Sequence, residues 1–116
     1  MMKALQVDIQ RVDEQTAILN LVGDVTTFAD TPLHEAYRTV SAEGIRNVIL
    51  NFVDNNAICS PGIAALLDVV VAANEQNQMV LMALPNDYFK KVFEMMGLSQ
   101  HISIFNSLEE ARGQIA

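Results

Sequence analysis

The run Val48-Ile49-Leu50-Asn51-Phe52-Val53 is almost continuously apolar, rich in β-branched residues, and flanked on both sides by segments of helical period. A strand of this kind must be covered on both faces, which an antiparallel meander with one wet face does not provide. Before it, Leu33, Ala36, Tyr37 and Val40 recur at helical spacing up to a stop at Gly44. After it, beyond the polar turn Asp54-Asn55-Asn56, Ile63, Leu66, Leu67, Val70 and Ala73 mark a second apolar helix face. Helices that connect strands of one sheet make that sheet mainly parallel.

The rest of the chain fits around this centre. Leu5, Val7 and Ile9 alternate with polar residues, and Thr16 to Val22 follows the turn at Asp13-Glu14-Gln15, so the opening reads as a β-hairpin. Met79 to Leu84 reads as another buried strand, closed by Pro85. A helix from about Asp87 carries Phe89, Val92, Phe93 and Met96 and stops at Gly97. A short strand around Ile102 to Ile104 precedes Ser107-Leu108-Glu109-Glu110, a capping box that opens the last helix. The order is β-β-α-β-α-β-α-β-α, a mixed-sheet α/β fold with helices packed on the sheet. Met79, Met82, Met95 and Met96 are read as core filler.

Composition narrows the classes of function. At 51% hydrophobic and 18% charged, the 116 residues are far from a disordered chain and are expected to form one domain over 1–116. The net charge of −7 argues against nucleic acid and against anionic lipid surfaces. A single cysteine cannot form an internal disulfide. Met1 to Gln10 alternates rather than forming an apolar run, and no stretch reaches the length of a membrane span. A soluble cytoplasmic protein without membrane insertion is expected.

The segment richest in possible chemistry is Asn51 to Ile63. Ser60 stands where a strand-end loop becomes a helix, and Pro61 suits the first helical position, so Ser60 is expected to be the N-cap. A helix start also presents N–H groups and the positive end of a dipole, a favourable place for an anion. The carboxyl end of a central strand is where open α/β sheets form their binding crevice. The loop Gly23-Asp24-Val25-Thr26-Thr27 emerges at the same edge if the second strand runs parallel to the central one.

These residues carry a resemblance. Ile58-Cys59-Ser60-Pro61-Gly62-Ile63 is similar to the D-S-S-G-[LI] motif of STAS domains, the sulfate transporter and anti-sigma factor antagonist family. Gly23-Asp24-Val25 resembles the G-E-[LIV] after that family's second strand. Phe93 to Leu98 resembles its late F-x-x-x-G-L, and Phe105 with Ser107 to Ala111 its closing F-x-S-x-E-E-A. The resemblance implies a STAS-like sheet and, in the antagonist branch, a protein that binds an anti-sigma factor or related serine protein kinase and is released when phosphorylated. Aligning Gly62 with the motif's glycine puts Ser60 on the phosphorylated position. Gly23, Asp24, Val25, Thr26, Thr27, Cys59, Ser60, Pro61, Gly62 and Ile63 then become the partner-binding set, with a phosphatase as a further partner. Cys59 stands in place of the motif's Asp, Pro61 in place of its second Ser, and Asn51 where many relatives carry Asp. These departures suit a second reading, a STAS interaction module that serves as scaffold or accessory subunit without phosphorylation.

Other chemistry has little support. No cation lies between Ile58 and Gln78 to serve a phosphoryl-carrier enzyme or to activate Cys59. Asp54-Asn55-Asn56 lacks the spacing of a calcium loop, and His34 and His101 match no ligand pattern. No catalytic residue, cofactor or metal is expected.

Overall fold

The computed structural model describes residues 4–100 and 102–115, so Met1 to Lys3, Ala116 and the isolated His101 lie outside the described residues. Five strands form one sheet in the order β1-β2-β3-β4-β5: β1 Gln6–Arg11, β2 Thr16–Val22, β3 Asn47–Val53, β4 Met79–Ala83 and β5 Ser103–Phe105. The hairpin partner β1 is antiparallel to β2, with Val7 opposite Leu21 and Ile9 opposite Leu19. The other neighbours are parallel, as the helical connections require. Four helices join them: α1 Asp30–Ala42, α2 Ser60–Glu75, α3 Asp87–Met95 and α4 Leu108–Gly113, with a 3-10 turn at Leu98–Gln100 before β5.

Alternation along the strands divides the core. Ala17, Leu19, Leu21, Val48, Leu50, Phe52, Val80 and Met82 face α1, α2 and α3. Leu33, Ala36, Tyr37 and Val40 of α1 are buried there, as their spacing predicts. Phe93 of α3 meets Phe52 edge-on at a centroid distance of 5.8 Å. On the other face Ile18, Ile49, Leu81 and Ala83 pack against Ala111 of α4. That helix is short, so this face is covered only in part. Near the carboxyl end of β3 it carries the hydrogen-bonded pair Asn51–Asn20 at 2.8 Å and the exposed Val53.

Three expectations need correction here. Among the four methionines read as core, only Met82 is buried, whereas Met95 is 86% exposed and Met79 and Met96 are about half exposed. Unbranched side chains at helix ends and at the first residue of a strand have apolar spacing but no opposing layer to enter. Covering of β3 on both faces fails at Val53 for the same reason. Ser107 is the N-cap of α4, its Oγ accepting from Glu110 N at 3.1 Å. Ser60 is not the corresponding residue of α2. Cys59 occupies the cap position with extended backbone (φ −139°, ψ 169°), no side chain caps the helix, and Ser60 is its first residue.

Candidate functional site

The parallel strands β2, β3 and β4 deliver their connecting loops to one edge of the sheet, and two of these loops are locked together. After β2, Gly23 turns the chain at φ +110° directly over Ala4, where a β-carbon would overlap the Ala4 carbonyl. Asp24 is buried, and its Oδ1 accepts from Asn56 N at 3.2 Å and Ala57 N at 3.1 Å. Asn55 returns the connection, its Nδ2 donating to Gly23 O at 2.7 Å and Leu21 O at 3.0 Å. Val25 then pairs with Ile58 in a short parallel bridge, with Val25 N donating to Ala57 O at 2.9 Å and Cys59 N to Val25 O at 3.1 Å. Thus the polar turn at Asp54-Asn55-Asn56 is a latch as well as a turn.

This latch positions the start of α2. Cys59 donates its backbone N–H to the neighbouring loop, Ser60 follows as the first helical residue and Pro61 as the second. Pro61 still causes no loss there, because a second-position N–H has no carbonyl within the helix to meet. Gly62 is buried against the other loop. A β-carbon at this position would collide with the Val25 carbonyl and lie 2.9 Å from Thr26 N. A larger residue at position 62 would therefore push the two loops apart.

The ten residues picked out by the sequence lie together but do not share one role. Gly23, Asp24, Val25, Thr26, Gly62 and Ile63 are buried and build the latch. Thr27, Ser60 and Pro61 are exposed, and Cys59 is half-buried. Sequence reading missed Phe28, which is 76% exposed in the turn closed by Ala29 N donating to Thr26 O at 3.0 Å. An aromatic between Thr27 and Ala29 gives no periodic signal. A large exposed ring follows from the turn geometry alone.

Electrostatically the site is one-sided. Residues 23–30 and 54–78 contain Asp24, Asp30, Asp54, Asp68 and Glu75 and no Lys or Arg. An anion on Ser60 would gain from the free N–H groups and dipole of the 16-residue α2, but would find no cationic side chain of these segments. The arrangement presents the Ser60 hydroxyl, outside any cap bond, on a two-loop shoulder, and among the described residues no nucleophile–base pair is assembled around it.

The sequence model of the STAS domain matches residues 6–111. The chain belongs to the STAS domain family. No match is found among curated proteins. In fold, this STAS chain is similar to an anti-sigma factor antagonist from Mycobacterium paratuberculosis, with a TM-score of 0.78 at 13% identity over 97% of this chain and 94% of that one. It is also similar to the Bacillus cell fate determinant SpoIIAA in its phosphorylated form, with a TM-score of 0.72 at 20% identity over 95% and 99% of the two chains. A putative anti-sigma factor antagonist from Thermotoga maritima gives a TM-score of 0.70 at 16% identity over 94% and 93%. The mixed five-stranded sheet with four helices is the SpoIIAA-like fold of these neighbours.

Proposed function

We propose that this STAS protein is an antagonist-type regulator: it binds an anti-sigma factor or related serine protein kinase through the shoulder formed by Thr27, Phe28, Cys59, Ser60 and Pro61, and phosphorylation of Ser60 releases it. The observation that carries this reading is Ser60 itself, exposed at the first position of α2 with its oxygen unused by the fold. A kinase can take such a hydroxyl without dismantling a cap. Structural similarity to a named antagonist and to SpoIIAA in its phosphorylated form supports the same class of function.

The electrostatics supply a mechanism for release. Phosphorylation adds nearly two negative charges. Residues 23–30 and 54–78 contain no Lys or Arg, so neither loop of the shoulder supplies a cation to pair with that charge. A partner surface fitted to a neutral hydroxyl then faces charge repulsion and desolvation. The protein acts as a regulator rather than an enzyme, in the cytoplasm, with a phosphatase completing the cycle. No described helix is long and apolar enough to cross a membrane.

Pro61 favours a second reading, a STAS module that holds its partner without phosphorylation, because the proline removes one of the N–H groups that a phosphate at the start of α2 would use. Intact mass of the protein from its native cells separates the two. The switch predicts a species heavier by about 80 Da, one phosphoryl group, that phosphatase removes and that Ser60→Ala abolishes. Absence of that species under every growth condition supports the module.

A further inference from the structure

α1 and α2 pack side by side, and between the start of α1 and the middle of α2 they bring together three side chains. Asp30 and His34 lie one turn apart on α1, and Asp68 comes from α2. One carboxylate oxygen from each Asp and a ring nitrogen of His34 all lie within 4.8 Å of one another. His34 Nε2 is 3.1 Å from Asp30 Oδ1, yet this nitrogen is buried and makes no hydrogen bond, because the oxygen lies off the line along which an N–H would point. A buried ring nitrogen left in this way is unfavourable. Two donors held about 3 Å apart with no proton directed between them have the spacing of adjacent ligands on one ion, given metal–ligand bonds of about 2.0–2.2 Å.

We propose that Asp30, His34 and Asp68 form a binding site for a divalent first-row transition ion of the Zn²⁺ type, with water completing the coordination. One imidazole with two carboxylates suits such an ion better than Ca²⁺ or Mg²⁺, which favour all-oxygen shells, and the lack of a thiolate disfavours Cu(I). The sequence shows no ligand motif because His34 and Asp68 belong to different helices. Asp30 opens α1 directly after the turn that carries Phe28, and Asp68 lies about two helical turns beyond Ser60 on α2. The ion therefore braces the two elements that carry the exposed shoulder. This site does not depend on whether Ser60 is phosphorylated.

Titration of the tag-free protein with ZnCl₂ and, separately, CoCl₂ tests the proposal. Zn²⁺ at a hundredfold excess over its Kd is expected to raise the melting midpoint by at least about 5 °C. Co²⁺ is expected to give visible d–d bands without a thiolate charge-transfer band in the near ultraviolet. His34→Gln and Asp68→Asn, both at partly or fully exposed positions, should each abolish the rise and the bands, while Cys59→Ser should keep them. No rise and no bands in the parent protein, showing an ion pair only, would overturn the proposal. So would a response that survives in His34→Gln and Asp68→Asn, or a thiolate band placing the ion on Cys59.

Discussion

Ser107 and Ser60 both stand at helix starts, both follow a strand, and both read as caps in the sequence, but the fold uses their oxygens differently. Ser107 Oγ accepts the Glu110 N–H and is committed to holding α4. Ser60 sits one residue inside α2, with no side-chain cap on that helix. The start of α2 is held from outside, by Asp24 on the amides of residues 56 and 57, by the Val25–Ile58 bridge and by the close approach of Gly62 to Val25. A serine that caps a helix is stable but chemically occupied. A helix start fixed by tertiary contacts can leave its serine available for modification.

The largest test of this contrast is Gly62→Val, which drives a side chain into the Val25 backbone, a neighbour that cannot rotate away. A loss of about 3 kcal/mol is expected in chemical denaturation, and an unchanged midpoint would mean that the latch does not hold α2. Asp24→Ala removes the acceptor for two backbone N–H groups in a buried place and should cost about 2 kcal/mol. Ser107→Ala should cost about 1 kcal/mol as a lost cap, whereas Ser60→Ala should stay within about 0.5 kcal/mol. Equal losses at the two serines would erase the distinction between them.

The smallest effect is expected at the opposite edge of the sheet, where Arg11 Nε donates to Glu43 Oε1 at 2.7 Å and Nη2 to Oε2. The hydrogen bond from Arg11 holds the Glu43 carboxyl below its ordinary value. Its contribution is therefore complete above the normal carboxylate range and fades as pH falls through the depressed value. Both groups are at the surface, so the benefit is slight and screened by salt. Arg11→Gln should lower stability slightly at neutral pH, and the difference should vanish in acid and at high ionic strength.

Much of the fold was legible because it rests on local periodicity. The element order, the buried face Leu33-Ala36-Tyr37-Val40 and the Ser107 cap all follow from spacings within a few residues. The site was legible in its members but not in their roles. Whether Ser60 or Cys59 takes the cap position is decided by a bond from Cys59 N to Val25 O, across 34 residues of chain, and no local pattern records it. The need for Gly62 has the same origin, a backbone from another loop. Met95 and Met96 are apolar residues at the very end of α3, where they stay exposed, and the exposure of Phe28 depends on a turn that local pattern does not specify.

The central claim, that charge at Ser60 controls partner binding while the fold is indifferent to its oxygen, is tested most directly by titrating the cognate kinase against Ser60→Ala and Ser60→Asp, with melts of both proteins. The predicted result is that both variants melt as the parent does or slightly above it, that Ser60→Ala binds persistently, and that Ser60→Asp binds at least about tenfold more weakly, roughly 1.4 kcal/mol. Binding of Ser60→Asp as tight as that of the parent would contradict the account.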